Sequence, residues 1–295
     1  MRLRVLGSAA GGGVPQWNCA CENCTLARRG DPSVAPRTQD GLLVRGEPRH
    51  LLVNASPDVL RQIQATPDLW PREKRGTPIG AIVLTNGDLD HVLGLFSLRE
   101  SQPLALYATD RVFRGLMAEN AIARTLARFD GQVSFRRLAL GEPTVVPDVG
   151  VTITAFAAPG KPPVHLPGEP HAEDNVGLRV ERAGKIVTVA TSVRDVRAVR
   201  DRLDGSHVVL LDGTFFSSEE LVAQKLGVAR AEDMAHHPLG GDGGSLAALA
   251  ELRAGRKILT HVNNSNPILR EGSRERAWAA SMGWEVAFDG MEIEA

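Results

Sequence analysis

Two short stretches of this chain gather residue types that bind metals. The first, TNGDLDH (85–91), closes the apolar run GAIVL and precedes a helix-like VLGLFSLRE. It sets Asp90 beside His91, with Asp88 just before them. In α/β layers, side chains at the C-terminal ends of strands converge on the crevice where ligands bind. The second stretch, CACENC (19–24), holds all 3 cysteines of the chain. Thiolates spaced this closely can wrap one tetrahedral Zn²⁺ from a single loop, and an odd number of them suits a metal better than disulfides. Cys19, Cys21 and Cys24 are therefore expected to hold a structural zinc, with a fourth ligand from elsewhere.

Asp90 and His91 also need a distant partner. His261 closes an apolar run in KILTHVNNSNP, and Asp212 closes another in HVVLLDG, where a carboxylate after two leucines is expected to turn into a pocket. His171 follows a proline-rich stretch at HAEDN, and His236 and His237 stand in the polar turn AHHPLGG. A lone His or Asp at a strand end is more often a loop residue than a ligand. The shared position at the ends of apolar runs singles out Asp90, His91 and His261 as ligands of one ion. Asp212, His171 and His236 are further candidates for the same site. His50 and His207 precede apolar runs, where surface or core roles fit better, and the Arg-rich 193–202 reads as a solvated helix face. Two imidazoles and one carboxylate with open positions match non-haem Fe(II) oxygenases, and they also suit a catalytic zinc.

The elements that position these groups are legible as β-like runs at 2–8, 50–56, 80–86, 104–109, 151–157, 176–181, 185–192, 207–213, 257–262 and 284–290. Helical patterns fall at 111–128, 194–203, 217–226, 243–254 and 270–282. Mixed sheets flanked by helices are the expected α/β architecture. No repeat or Ser/Gly linker divides the chain, so 1–295 is expected to form one domain, with the Pro/Gly-rich 158–170 as a loop over the site. The glycine run GSAAGGG lacks the G-x-G-x-x-G spacing and the Lys-Ser/Thr ending of phosphate loops, so it reads as a tight turn delivering the cysteines.

Composition narrows the function further. The net charge of −1, without long runs of one sign, argues against a nucleic-acid surface. No apolar segment reaches the length of a membrane span, and MRLRVLGSAAGGG lacks a secretory apolar core, so a cytoplasmic protein is expected.

These stretches carry a resemblance. TNGDLDH on its strand, the distant THV and the closing WEVAFDGMEIEA resemble the metallo-β-lactamase superfamily, whose fold is a four-layer αββα sandwich. GSAAGGGVPQWNCACENC, PRTQDGLLV, NASPDVLRQIQATPDL, TPIGAIVLTNGDLDHVLGLFSLRE, LLDGTFF and LTHVNNSNPIL resemble, along the whole chain, the family of pyrroloquinoline quinone (PQQ) biosynthesis protein B. Hydrolases of the superfamily carry His-x-His-x-Asp-His and two metals. Here Asn86 and Asp88 replace the first two histidines, and Ser192 stands where the bridging carboxylate would fall. The resemblance implies one metal in place of two, and it argues against a hydrolase. It further implies an Fe(II)-dependent hydroxylation, with dioxygen, of the tyrosine-derived ring of a PQQ precursor peptide. Asp90, His91 and His261 would hold the iron, Asp212 would ligate or orient, and His171 and His236 would bind or deprotonate the phenol. Asp88 is a further candidate ligand. The alternative implied role is a carrier moving PQQ or its precursor to the periplasm, without catalysis. Other PQQ biosynthesis proteins are implied as partners, and a homo-oligomer is left open. The related diesterases of phosphonate breakdown share the CxCxxC loop but place a histidine where this chain has Asn264, so Asn264 is a candidate fourth zinc ligand.

Overall fold

A computed structural model describes residues 1–118, 120–163 and 168–295. Fourteen strands run in chain order: β1 (Arg2–Gly7), β2 (Gly41–Val44), β3 (His50–Val53), β4 (Ile79–Val83), β5 (Leu104–Ala108), β6 (Val133–Arg137), β7 (Pro143–Val146), β8 (Val151–Ala157), β9 (Val176–Arg182), β10 (Lys185–Ala190), β11 (Val208–Asp212), β12 (Arg256–Thr260), β13 (Trp284–Val286) and β14 (Glu292–Glu294). They form two 7-stranded sheets, ordered β14-β1-β2-β3-β4-β5-β6 and β13-β12-β11-β10-β9-β8-β7. Within each sheet a parallel block, β3 to β6 or β10 to β13, adjoins an antiparallel one.

Strand alternation sends every second side chain to the opposite face. Leu3, Val5, Val53 and Val83 of one sheet thereby meet Ile153, Leu178, Val189 and Leu210 of the other in a shared apolar core. The outer faces are covered by helices. The helices Val59–Gln64 (α1) and Asp110–Met117 (α2) pack over the first sheet, through Val59, Val112 and Leu116 against Leu52, Ile82 and Leu106. Val196–Leu203 (α3), Ser245–Ala248 (α4) and Arg274–Ser281 (α5) cover the second, burying Val199, Leu203, Leu246 and Ala279 against Val209, Leu211 and Leu259. The result is the expected metallo-β-lactamase fold, an αββα sandwich.

Several elements differ from the sequence expectation. The strands β2, β6, β7 and β14 were absent from it, because each is at most 5 residues long and β6 and β7 lack a clean apolar alternation. The run at 284–290 splits into β13 and a turn at Phe288–Gly290 that redirects the chain into β14 in the other sheet. The helical pattern at 217–226 contracts to Glu220–Ala223, and 111–128 breaks after α2 into a 3₁₀ turn at Ala121–Thr125. Among the described residues no helix is long and apolar enough to cross a membrane.

Candidate metal centre

The two sheets are bridged at one end. Val262, just past β12, accepts from the N–H of Ala10 and donates to the carbonyl of Ser8, just past β1, while Asn86 beyond β4 pairs with Asn175 at the start of β9. Here Asp90, His91 and His261 come together, and so do Asp212, His236 and His261. His261 is shared by both groups. It adopts φ +56°, a left-handed conformation uncommon for a side chain of this size and typical of positions held for function.

Each ligand-type imidazole is oriented by a threonine. The Thr85 hydroxyl donates to Asn54 Oδ1 (3.0 Å), so its contact with His91 Nδ1 (3.0 Å) is donated by the ring. Thr214 likewise donates to Asp212 Oδ1 (2.6 Å) and receives His261 Nδ1–H at 2.9 Å. With Nδ1 committed as donor, Nε2 is the atom each ring would offer a metal: on His91 it is free, and on His261 it bonds Asp90 through a proton that a cation would displace. His91 Nε2 is buried and has no hydrogen-bond partner among the described residues. It stands 3.9 Å from Asp90 Oδ2 and 3.8 Å from Asp40 Oδ2, and His261 Nε2 lies 3.2 Å from Asp90 Oδ2. Ligands each about 2.1 Å from one ion lie roughly 3–3.5 Å apart, so these three atoms fit a common cation with little movement.

Electrostatics favour the same occupant. Burial pushes the Asp90 carboxyl up, but His91 and His261 outweigh it and hold it well below the usual carboxylate range. Burial likewise lowers His261, yet its bond to Asp90 and the fields of Asp40 and Asp212 raise it to about 9. Asp40 is raised by burial. Two buried carboxylates, Asp40 and Asp212, and the half-buried Asp90 surround these imidazoles in a pocket that stabilises positive charge.

Asp40 was missed in the sequence. It precedes the fully buried strand β2 and is anchored by Asn54 Nδ2 at 2.9 Å. The signal was available in PRTQDGLLV: a carboxylate immediately before a buried apolar run mirrors Asp212 immediately after one. The glycine run also does more than turn. Gly12 and Gly13 have φ of +94° and +68°, as a tight turn requires, while a Cβ on Gly11 would lie 3.3 Å from Asp90 Oδ2.

The remaining candidates separate. His236 Nδ1 is 2.6 Å from Asp212 Oδ2, which leaves its own Nε2 without a hydrogen bond, and its ring stacks 5.5 Å from that of His261. Asp212 accepts from the Thr214 N–H and hydroxyl on one oxygen and from the Val193 N–H and His236 on the other. Burial raises its pKa, but His236, His261 and Thr214 bring it below the ordinary value. Asn86 is consumed structurally, donating to Asn175 Oδ1 and accepting from the Asp88 N–H. Asp88 is half-buried, raised by that burial, and within the fields of His91 and His236. The structure does not bring His171 into either cluster: it is exposed, its N–H bonds Asp174 and its Nδ1 accepts from Glu173 N–H. Ser192 is half-buried. Of the proline-rich loop, Pro163 would lie 2.9 Å from a Cβ on Gly87, so the described part leans on the TNGDLDH turn, while 164–167 fall outside the described residues.

The cysteines form a separate cluster. Asn264 Nδ2 lies 3.1, 3.5 and 3.4 Å from Cys19, Cys21 and Cys24 Sγ, so the amide end sits at the fourth corner of a tetrahedron. The two ends of a side-chain amide are assigned from the hydrogen-bond network, and the oxygen end at that corner is a metal ligand. Burial raises the Cys24 thiol to about 12 and also pushes Cys21 up, but N–H and thiol contacts bring Cys21 below its ordinary value. Gln16 N–H bonds Cys24 Sγ and Cys21 N–H bonds Cys19 Sγ, contacts that steady thiolates. The set fits a closed zinc site.

Comparison with known proteins agrees with this geometry. Residues 49–262 match the model of the Beta-lactamase superfamily domain. "Coenzyme PQQ synthesis protein B" of Methylobacterium sp. (strain 4-46) is 44% identical over 301 residues, spanning 99% of each chain. The protein of that name from Cupriavidus necator is 44% identical over 300 residues, 99% of this chain and 98% of its own. The crystal structure of Zn²⁺-bound PqqB from Methylobacterium extorquens superposes with a TM-score of 0.94 at 40% identity, covering 100% of both chains. A diphosphatase of the PhnP family shares the fold, with a TM-score of 0.68 at 21% identity over 99% of this chain and 97% of its own. Full-length likeness at this level makes the chain a member of the coenzyme PQQ synthesis protein B family, built on the β-lactamase superfamily fold.

Proposed function

We propose that this protein acts in PQQ biosynthesis as an Fe(II)-dependent oxygenase that hydroxylates the tyrosine-derived ring of a precursor peptide. The observation that carries the reading is the pair of imidazoles oriented through Nδ1 with Nε2 beside Asp90, where His91 Nε2 is buried with no hydrogen-bond partner among the described residues. Asp90, His91 and His261 would hold a single ion, and Fe(II) there supplies activation of dioxygen. One carboxylate and two imidazoles would hold the ion while leaving room for a second occupant beside the substrate.

The chain's own residues would do the rest. Asp212, with both oxygens engaged by neighbours, serves as a positioning residue: it holds His236 through Nδ1, with the ring stacked on that of His261. His236 Nε2 can take the proton of a phenol, whose ordinary pKa of about 10 otherwise keeps it neutral. The buried placement of His91 and His261 keeps bulk water from the metal side. The cysteine cluster, closed by Asn264, is read as a structural zinc that pins the 19–24 loop against the 261–266 loop.

The test is metal analysis of protein purified without air, paired with oxygen uptake on a dihydroxyphenylalanine-type peptide after Fe(II) loading. One zinc and about one iron per chain are expected, with uptake lost in His91→Ala. Zinc alone with no uptake under any loading would overturn the oxygenase and favour a non-catalytic carrier.

A further inference from the structure

We propose that the end of the sandwich opposite the metal centre is a binding site for a small multivalent anion bearing carboxylate or phosphate groups. A cavity of about 950 Å³ opens there, where β1 begins and where the β2–β3 and β9–β10 turns meet. These are the strand ends remote from Asp90 and His261, so the site is distinct from the metal centre and does not rest on the oxygenase reading.

Charge points to the ligand. Arg2, Arg72, Arg182 and Lys185 line the cavity, and among the described residues none of them is in an ion pair. Arg45, also on the wall, is already neutralised by Asp68 at 2.6 Å and Glu292 at 2.5 Å. Glu47 is the one lining acid left without a cationic partner among the described residues, so positive charge is in clear excess. Guanidinium groups match the fork of a carboxylate or phosphate, and a cavity of this size admits a ligand with several such groups.

An independent observation comes from His50, which lines the same cavity and is 7% exposed. Its Nδ1 accepts the Gly46 N–H at 3.2 Å, which places the ring proton on Nε2. Nε2 is buried and has no hydrogen-bond partner among the described residues. Burial lowers the imidazole's pKa, so the ring stays a neutral donor. A buried donor without an acceptor is costly, and an anionic oxygen is the group that would satisfy it.

The experiment titrates the metal-replete protein at low salt with tricarballylate, a trianion that chelates metals poorly, and separately with inorganic phosphate. Calorimetry reads affinity, and the His50 ring ¹⁵N resonances report on Nε2. Saturable binding of one anion per chain is expected, with a shift at His50. Reversing two exposed charges, Arg72→Glu with Lys185→Glu, is expected to weaken it by about 10-fold or more, the scale of one lost charged contact, while zinc content and Tm stay unchanged. Preference for one probe assigns the carboxylate or the phosphate class. No saturable binding of either anion, or undiminished binding in the double variant, would overturn the proposal.

Discussion

The two metal-type clusters are built by opposite strategies. Three of the four corners of the cysteine site come from a single six-residue stretch, and the fourth, Asn264, arrives from far along the chain. The Asp90–His91–His261 site draws on the ends of β4 and β12, is backed by Asp40 ahead of β2, and forms only once both sheets are packed. The local site is closed on all sides by sulfur and amide, which suits holding a loop. The assembled site keeps open positions, which suits chemistry. Local clustering thus buries the metal's reactivity, whereas assembly from distant strand ends leaves a face for a second molecule.

The sharpest way to break this contrast is to remove one ligand from each cluster. His261→Ala is expected to abolish metal at the assembled site, reducing oxygen uptake by well over 100-fold, beyond the ~10–100-fold that outer partners contribute. Zinc should remain, as metal analysis would read. Cys24→Ser should do the reverse at first: zinc is lost and stability falls by several kcal/mol, on the order of what structural zinc contributes to small domains, visible as a lower Tm. Equal loss of both metals in both variants would show that the clusters are not separate.

A subtler comparison exchanges the orienting threonines. Thr85→Val removes the acceptor for His91 Nδ1–H while keeping volume, and is expected to weaken the assembled metal ~10–100-fold without moving Tm by more than a few degrees. Thr214→Val should cost more, because Thr214 also serves Asp212. Metal affinities from competition with a chelator would rank the two.

An effect on stability alone concerns Glu220, buried and bonded to the Phe216 N–H (2.7 Å) and the Ser265 hydroxyl (2.5 Å). Burial raises its carboxyl to about 7, above the unfolded value of 4.5. The folded state therefore holds its proton more tightly, and stability falls as pH rises from about 4.5 to about 7. The ceiling is roughly 3 kcal/mol at 1.4 kcal/mol per pH unit. Glu220→Gln should flatten that slope, which denaturant titrations at pH 5 and pH 8 would read; an unchanged slope would refute it.

How much of this was legible depended on where the information lies. Asp90, His91, His261 and Asp212 could be found because each ends an apolar run, and a strand end points to a crevice whatever the rest of the chain does. Asp40 escaped because its run follows it instead of preceding it. His171 looked equivalent on paper, yet Asp174 and Glu173 close a local turn around it, a contest that spacing alone does not reveal. Asn86 appeared only as a lost histidine, whereas the folded chain uses it to tie β4 to β9. The strands β6 and β7 were hidden for a different reason: as strands at and near sheet edges with exposed faces, they owe their form to neighbours more than to their own pattern.

His261 and Asn264 stand three positions apart on one loop, each committed to a different cluster. Asn23 fastens that loop by donating to the Asn264 and Asn266 carbonyls. Ions at the two clusters would therefore be linked through this loop: one that fixes Asn264 would also order His261. By reciprocity the second metal must tighten the first by the same factor. An ion at the cysteines would then order the loop that carries His261, so loss of a cysteine ligand would weaken the assembled site as well, by less than it weakens the cysteine site itself.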